Sequence, residues 1–213
     1  MFICRFFHGL PFHAGSKEYD PGNRKMQCCG KSQIEKEGTV NEPLKLETKR
    51  LVMHTIDLPL IEAAARRDTQ AIEAIGFKTN GEWPTPDFYE AIPYFRELLV
   101  RNQGTRGFDS WIMVAKDTQE IVGGIGFLGD PDPNGIIEIG FATNESHRRK
   151  GYCNEAAHAL LNWASGQENV QRIVARCEPG NIGSAAVLTK LGFRLDRKDA
   201  QYEYWNYEPD NRH

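Results

Sequence analysis

The sequence predicts one folded domain of the α+β class, with a mixed and mostly antiparallel sheet and helices on both of its faces. Short β-branched and aromatic runs alternate along the chain with longer runs in which apolar residues recur at helical spacing. Two of the short runs flank residues 116–119 and predict a hairpin, which favours antiparallel pairing. The chain has 213 residues, 40% of them hydrophobic, which is enough for one well-formed core.

The start of the chain is predicted to differ from the rest. Residues 1–44 mix Gly, Pro, Lys and Glu without sustained periodicity, so they lack the apolar surface that would offset the entropy of ordering. We expect them to form a disordered or weakly ordered leader ahead of the domain 45–213. Translation from Met26 is equally compatible with the sequence. No secretory signal is predicted, because Arg5 interrupts the first apolar residues and Pro11 follows soon after.

Composition limits the partners that we expect. The formal net charge of −3 provides no global attraction to nucleic acid or to an anionic membrane. No apolar run approaches the roughly 18 residues of a membrane span. The five cysteines include no C-x-x-C spacing, which favours free thiols in a reducing compartment over a metal site. We therefore expect a cytoplasmic monomer or homodimer that binds no nucleic acid, membrane or metal.

The first predicted strand lies within residues 44–53, and two helices follow it. Asp57 is expected to cap a helix that carries apolar residues from Ile61 to Ile72, with a proline in the first turn. The segment Trp83–Pro86 interrupts the chain, and Asp87 is expected to cap the second helix. The apolar residues of that helix are Phe88, Ile92, Phe95, Leu98 and Leu99.

The predicted hairpin joins residues 111–115 to residues 120–127. Its second strand contains Gly124-Ile-Gly-Phe-Leu-Gly129, which matches the dinucleotide pattern G-x-G-x-x-G. Residues 130–135 contain two prolines and do not open the helix that this motif requires, so we reject a Rossmann fold. The same residues begin like a calcium loop, but Phe141 stands where a bidentate glutamate is needed. A plain hairpin connection is the better interpretation.

The stretch 136–161 is predicted to form a buried strand, a polar and basic loop and a helix. In the loop, Arg148, Arg149 and Lys150 lead directly into Gly151. Unpaired backbone N–H groups and three cations therefore gather at one helix N-terminus, which is an anion site. Beyond it we predict a strand over 170–177, a helix that begins near Asn181 and a half-buried strand over 201–207.

The loop motif is Arg148-x-x-Gly151-x-Cys153. It resembles the Q/R-x-x-G-x-G/A signature of the GNAT superfamily, the acyl-CoA-dependent N-acyltransferases, in which loop amides hold the coenzyme A pyrophosphate. Cys153 stands where the family usually has Gly or Ala. Because cysteine is small, this departure is mild.

A second segment supports the same resemblance. Asn181-x-x-Ser184 followed by residues 190–193, Lys-Leu-Gly-Phe, is similar to the closing segment N-x-x-S-x-x-x-L-x-K-x-G-F of the family. Residues 48–53 resemble the first strand of the ribosomal-protein N-terminal (Rim-type) acetyltransferases. The similarity covers roughly residues 46–207, and two motifs at compatible spacing are much more specific than either alone.

The resemblance implies an N-acetyltransferase that uses acetyl-CoA as acyl donor and needs no metal. It implies direct transfer, in a ternary complex, to a primary amine of a small molecule or of a protein N-terminus. The alternative is a catalytically weak CoA-binding sensor or interaction module of the same fold. The cofactor-binding residues that it implies are Phe141, Ala142, Thr143, Arg148, Arg149, Lys150, Gly151, Tyr152, Cys153, Asn154 and Asn181.

Two side chains are the catalytic candidates. Glu138 occurs ten residues before Arg148, similar to the place where some histone acetyltransferases of the superfamily carry their general base. The alternative for Glu138 is a structural carboxylate satisfied by neighbouring cations. Many members protonate the departing thiolate with a tyrosine, but Leu188 occupies that position, so Ser184 becomes the candidate proton donor. The alternative for Ser184 is a hydroxyl that satisfies groups at the start of its helix.

Overall fold

Strands and helices occur throughout residues 43–209, which together with residues 3–4 are the part of the chain that the computed structural model describes. The strands are β1 (Ile3–Cys4), β2 (Lys45–Glu47), β3 (Leu51–Thr55), β4 (Ser110–Ala115), β5 (Ile121–Phe127), β6 (Ile136–Thr143), β7 (Arg172–Cys177), β8 (Arg194–Lys198) and β9 (Glu203–Tyr207). The helices are α1 (Leu58–Ala65), α2 (Thr69–Ala74), α3 (Pro86–Arg101), α4 (Tyr152–Ser165) and α5 (Ile182–Lys190). The predicted α+β class is confirmed.

The strands form one sheet in the order β2-β3-β4-β5-β6-β7-β9-β8, and β1 pairs with β6 outside this order. Strands β6 and β7 pair in parallel, and the other neighbouring pairs are antiparallel. The predicted mixed, mostly antiparallel sheet is therefore confirmed. The parallel pair lies in its middle, between the hairpin strands and the C-terminal strands.

Both faces of the sheet are covered, as predicted, because side chains alternate between two apolar clusters. On one face, Ile137, Ile139 and Phe141 of β6 pack in a cluster that includes buried residues of α4 and α5. On the other face, Ile112 and Val114 of β4 pack against α1, α2 and α3. Helix α4, which follows the predicted anion loop, is thus anchored to the sheet along its apolar side.

The segment predicted as one helix after Asp57 is two helices, so that prediction was wrong about its length. Asp57 caps α1 as predicted, accepting a hydrogen bond of 3.0 Å from the Leu60 amide. Arg67 then adopts a left-handed φ of 52°, which ends α1. Asp68 starts α2 by accepting from the Ala71 amide at 3.0 Å. The apolar period continues across this break and so conceals it in the sequence.

The N-cap of helix α3 lies two residues before the predicted cap, Asp87. Thr85 is its N-cap residue, without a side-chain capping bond, and Pro86 is the first helical residue. Asp87 therefore lies in the first turn, where a carboxylate still interacts favourably with the helix dipole. Pro93 lies inside the helix, as the sequence indicates.

The glycine-rich run lies in β5 and continues into a connection to β6, in agreement with the rejection of a dinucleotide site. A Cβ added at Gly123 would lie 2.3 Å from the Ala142 carbonyl oxygen, and one at Gly126 would lie 2.3 Å from the Asp109 carbonyl oxygen. These glycines therefore allow backbones to approach closely. Asp132 organises the connection by accepting from the amides of residues 134 and 136.

Both ends of the chain contain strands that the sequence did not predict. Strand β8 is exposed along its whole length and lies at the sheet edge, so it has no apolar alternation to reveal it. At the other end, Ile3–Cys4 lies within the predicted leader and forms β1. Residues 1–2 and 5–42 lie outside the described residues, as does most of the prediction for 1–44.

Candidate active site

The parallel strands β6 and β7 separate at the point where the resemblance places a splayed edge. They pair only over Ile136–Glu138 and Arg172–Val174, although β6 continues to Thr143 and β7 to Cys177. Beyond the divergence, β1 pairs antiparallel with Phe141 and Ala142 of β6. This edge of β6 therefore accepts an extended backbone as a partner.

A cavity of about 340 Å³ lies beside this edge. It extends from the end of β6 across the loop before α4 to the first turns of α5. The residues that line it are Phe141, Ala142, Thr143, His147, Arg148, Arg149, Gly151, Tyr152, Cys153, Asn154, Gly183, Ser184, Ala186, Val187 and Lys190. The structure thus brings the two family-like motifs, far apart in the sequence, to one cavity.

The loop between β6 and α4 is shaped by two residues in the left-handed region. Arg149 has φ 61° and Gly151 has φ 79°, so the backbone curls around the start of α4. Among the residues that the structure describes, no side chain caps α4, and the first amides of an α-helix lack intrahelical partners. A curled loop of this kind with open amides at a helix N-terminus is a good site for a phosphate.

The three cations of the loop have different positions. Arg148 and Arg149 line the cavity, whereas Lys150 is exposed and does not. The Lys150 carbonyl oxygen instead accepts a hydrogen bond of 2.8 Å from Nη1 of Arg50. Lys190, at the end of α5, adds a cation to the cavity wall from the opposite side. The cavity is therefore electropositive where the loop amides open into it.

Cys153 lines the cavity but is not suited to be a nucleophile. Enclosure of its thiol raises the pKa of Cys153 to about 12, so the reactive thiolate is scarce at neutral pH. Its small side chain leaves room in the first turn of α4. Cys177, at the end of β7, is buried, and burial raises its pKa to about 11.

The two polar residues predicted at the start of α5 have different environments. The Ser184 amide donates to Oδ1 of Asn181 at 3.1 Å, so Asn181 acts as the cap of α5. Ser184 is 3% exposed and lines the cavity, whereas Asn181 does not line it. Leu188, where many relatives are expected to have tyrosine, is fully buried in the core.

Glu138 lies outside the cavity wall. By strand alternation it faces away from Phe141, on the side of the sheet that α1–α3 cover farther along. Nε of Arg176 on β7 donates to Oε1 of Glu138 at 2.7 Å, and the two side chains are 32% and 22% exposed. A carboxylate so placed has one oxygen engaged by a cation. Its role in catalysis remains a prediction.

Several residues of the site escaped the sequence analysis. His147 lines the cavity, its Nε2 lies 3.8 Å from Glu120, and its Nδ1 is 2.9 Å from the Ser146 hydroxyl. Arg50 and Glu155, which contact the loop, lie far apart in the sequence. Arg50 does belong to residues 48–53, the segment that resembles the first strand of the Rim-type acetyltransferases, but the resemblance gave it no role. The sequence left the role of His147 ambiguous.

The part of the chain that the structure describes contains no group of three or more His, Cys, Asp or Glu side chains that could hold a metal ion. Within the same residues, no helix is long and apolar enough to pass through a membrane. Chemically, the cavity provides amides and cations for an anionic group. Beside it lies the β6 edge, which β1 occupies in this structure at Phe141 and Ala142 and which can pair with an extended chain that has amide groups. A phosphorylated ligand with a long amide-containing arm fits both features.

Comparison with known proteins agrees with this geometry. The chain matches the acetyltransferase (GNAT) domain model over residues 50–194. It is 65% identical over 162 residues to the uncharacterized N-acetyltransferase YjdG of Bacillus subtilis, covering 76% of this chain and 96% of that protein. It is 31% identical over 101 residues to the ribosomal-protein-serine acetyltransferase of Escherichia coli, covering 47% and 56% of the two chains.

Among solved structures, the ribosomal L7/L12 α-N-protein acetyltransferase RimL in complex with coenzyme A has the same fold. It matches with a TM-score of 0.55 at 16% identity, over 76% of this chain and 96% of that chain. The family match covers well over half of the chain and includes both motifs. This protein therefore belongs to the GNAT acetyltransferase family.

Proposed function

We propose that this acetyltransferase transfers the acetyl group of acetyl-CoA directly to a primary amine of a small molecule or a protein N-terminus. The observation that carries the proposal is the cavity that joins the β6 edge, where β7 has diverged and β1 pairs with Phe141 and Ala142, to the N-terminus of α4. Coenzyme A has a pyrophosphate at one end and an amide-containing arm that leads to the thioester. The two features of the cavity match these two parts of the molecule.

The residues present fit acetyl-CoA without a metal. The amides of the loop Arg149–Asn154 would hold the pyrophosphate, with Arg148 and Arg149 as countercharges. The backbone of Phe141–Thr143 would pair with the arm, which would displace β1 from Phe141 and Ala142. Acetyl-CoA supplies an acyl group that is already activated as a thioester. The protein then has to position it, accept a proton from the amine and provide one to the thiolate.

Glu138 and Ser184 are the residues that we propose for the two proton transfers. Oε2 of Glu138 is the oxygen left for an amine, because Oε1 accepts from Arg176. Ser184 lies at the cavity wall at the start of α5, on the side of the proposed arm site. A hydroxyl is a weak acid, but a thiolate needs little help to depart. We therefore assign Ser184 a smaller share of the rate than Glu138.

The acceptor is the finer part of the proposal. The E. coli relative is named a ribosomal-protein-serine acetyltransferase, which supports N-terminal peptides of ribosomal proteins as first candidates. Small-molecule amines and polyamines are the other class. A cytoplasmic location, supported by the free thiols Cys153 and Cys177, completes the proposal.

The test is a panel of amines incubated with acetyl-CoA, with thiol release as the signal. The panel contains peptides that begin with Ser or Ala, polyamines, aminoglycosides and amino acids. Release of thiol that depends on one amine, together with the acetylated product by mass spectrometry, supports the enzyme. Thermal stabilisation by acetyl-CoA without release on any amine favours the sensor. Absence of both would refute acetyl-CoA as the ligand.

A further inference from the structure

Arg50, just before β3, extends across to the loop that precedes α4. Its Nη1 donates to the Lys150 carbonyl oxygen at 2.8 Å, and its Nε donates to Oε2 of Glu155 at 2.7 Å. Its Cζ lies 4.7 Å from the centroid of the Tyr152 ring. One guanidinium therefore contacts three residues of the loop and of the first turn of α4.

Glu155 completes the arrangement from the first turn of α4. Its Oε1 accepts from the Thr48 hydroxyl at 2.6 Å and from the Arg50 amide at 2.7 Å. Burial of Glu155 opposes its ionisation, but the hydrogen bonds from Thr48 and Arg50 outweigh burial and lower its pKa. The carboxylate thus stays ionised and joins the start of β3 to α4.

We propose that Arg50 and Glu155 are positioning residues that hold loop 148–154 in its phosphate-binding conformation. The inference rests on the proposed function, in which this loop binds the coenzyme A pyrophosphate. Neither residue lines the cavity, so each acts through the backbone that it holds.

The backbone of this loop needs such support. Arg149 is a non-glycine residue in the left-handed region, a conformation that persists only where its surroundings enforce it. The carbonyl that Arg50 holds belongs to Lys150, directly between the left-handed residues Arg149 and Gly151. A contact at that point restrains both neighbouring peptide units. The amides then face the cavity before the ligand arrives, which lowers the entropic cost of binding.

Arginine is required here for its shape as well as its charge. Its planar fork makes one bond to a carbonyl and one to a carboxylate while its face lies near an aromatic ring. A lysine has one ammonium group and does not satisfy this set of contacts. The competing explanation is that Arg50 acts only as a positive charge near a phosphate. The two explanations predict different results for Arg50→Lys and opposite results for Glu155→Gln.

Glu155→Gln provides the sharper test, because it removes a negative charge from the vicinity of a proposed anion site. If charge alone mattered, coenzyme A would bind more tightly to this variant. If Glu155 positions the loop through Thr48 and Arg50, coenzyme A binds more weakly. The sign of the change in Kd therefore separates the two explanations.

The experiment measures the Kd of coenzyme A by calorimetry for the full chain and four variants. We expect Arg50→Ala to raise the Kd about tenfold or more, and Arg50→Lys and Glu155→Gln to raise it at least about threefold. The control is Arg96→Ala, which breaks another exposed Arg–Glu pair, to Glu62, between α3 and α1. It should leave the Kd within about twofold of the wild type.

Hydrogen exchange of the ligand-free proteins is the second readout. Amides in 148–154 should exchange about tenfold faster in Arg50→Ala than in the wild type, while amides of β4 and β5 keep their protection. If Arg50→Ala fails to fold, its β4 and β5 amides lose protection. The Kd values of Arg50→Lys and Glu155→Gln then decide whether the two residues position the loop.

The outcomes are distinct. An unchanged Kd in Arg50→Lys or a lower Kd in Glu155→Gln overturns the positioning role, because charge then suffices. Unchanged exchange of 148–154 in Arg50→Ala overturns it as well. If the wild-type protein does not bind coenzyme A at all, the proposed function fails, and the exchange readout still decides whether Arg50 holds the loop.

Discussion

The candidate site has two ends: a proposed phosphate end at the loop before α4, and a proposed amine end at Glu138 and Ser184. The first is formed mainly by backbone groups and the second by side chains. At the phosphate end, the loop before α4 presents backbone amides, and its shape depends on Arg149, Gly151 and an uncapped helix. At the amine end, the candidate groups are the side chains of Glu138 and Ser184, and Glu138 is engaged by Arg176 from the neighbouring strand. The first end is specified by local sequence, whereas the second depends on how strands are ordered in the sheet.

This difference predicts which mutations should weaken the binding of acetyl-CoA and which should slow turnover. Changes at the phosphate end alter the backbone surface that we propose to bind acetyl-CoA, so they should affect its affinity. Changes at the amine end leave that surface intact and should affect turnover. Mutations that mix the two effects would show that the ends are not separate.

The largest effect is expected at the amine end. Glu138→Gln should lower turnover about 10²- to 10⁴-fold, the usual loss for a general base, and leave the Kd of acetyl-CoA unchanged. The measurement is single-turnover acetylation of an accepted amine at saturating acetyl-CoA. The matched control is Arg176→Met, which breaks the same ion pair but retains the carboxylate. If Arg176→Met lowers the rate as much as Glu138→Gln, the carboxylate is structural.

The next effect is expected at the phosphate end. Gly151→Val should abolish stabilisation by acetyl-CoA, which for wild type is about 2.7 kcal/mol at 100 times Kd. Gly151 has φ 79°, a region that valine avoids, and a Cβ there would lie 3.4 Å from Nη2 of Arg50. Thermal shifts with and without ligand measure this loss.

The control for strain is Gly76→Val, because Gly76 also has a positive φ, 106°, and does not line the cavity. It should lower the melting temperature yet keep the full shift with acetyl-CoA. Equal shifts for Gly151→Val and wild type would remove the loop from the binding site.

The local geometry of the proposed phosphate end follows from the sequence more directly than that of the proposed amine end, for a physical reason. Glycine at position 151, the cations before it and the helix after it are adjacent in the chain, so their geometry follows from local rules. The Glu138–Arg176 pair joins residues 38 positions apart, and it exists only because β6 and β7 are parallel neighbours. The Arg50–Glu155 contact joins residues even farther apart, by 105 positions, and no local pattern predicts it.

In the fold, too, elements with a strong local pattern were predicted, and elements that depend on their neighbours were not. Strand β6 and helix α4 carry strong apolar periods and were predicted within a few residues. Strand β8 is exposed along its length and is held by pairing with β9, so its own residues carry no signal. The break at Arg67 is missed because the apolar period runs across it.

Asp109, a carboxylate that does not line the cavity, should make its own contribution to the pH dependence of stability in mild acid. Burial raises the pKa of Asp109 from its ordinary value of 3.8 to about 6, although its hydrogen bonds from Arg106 and Thr105 oppose this. The folded state therefore binds this proton more tightly than the unfolded state. The contribution of Asp109 to stability should fall by about 2–3 kcal/mol as the pH rises from 4 to 6, against the opposite contributions of the carboxylates whose pKa is lowered, such as Glu155.

Urea unfolding at a series of pH values measures this slope. Asp109→Asn should flatten it, while Asp117→Asn, at an exposed turn, should keep it. The pH dependence of stability is also needed for the comparison of the two ends. A pH–rate profile that tests Glu138 can be interpreted only in a pH range where the folded population is constant. A slope that Asp109→Asn leaves intact would assign the raised pKa to another group.

The smallest effect is expected from removing residues 1–43, and it tests whether the β6 edge binds the arm of acetyl-CoA. Strand β1 pairs with Phe141 and Ala142, the residues proposed to pair with that arm, so the two partners compete for one edge. The chain from Leu44 should stay folded and bind acetyl-CoA as tightly as the full chain or up to about tenfold more tightly. That limit corresponds to the net contribution of one or two hydrogen bonds.

Calorimetry with acetyl-CoA and with adenosine 3′,5′-bisphosphate separates the two ends in this last experiment. The bisphosphate lacks the amide-containing arm, so it should bind both chains equally, whereas any gain on truncation should appear only with acetyl-CoA. Weaker binding of both ligands, or loss of folding, would place residues 1–43 within the domain and move its boundary. A gain shared by both ligands would mean that the leader acts on the phosphate end, and the division of the site into two independent ends would no longer hold.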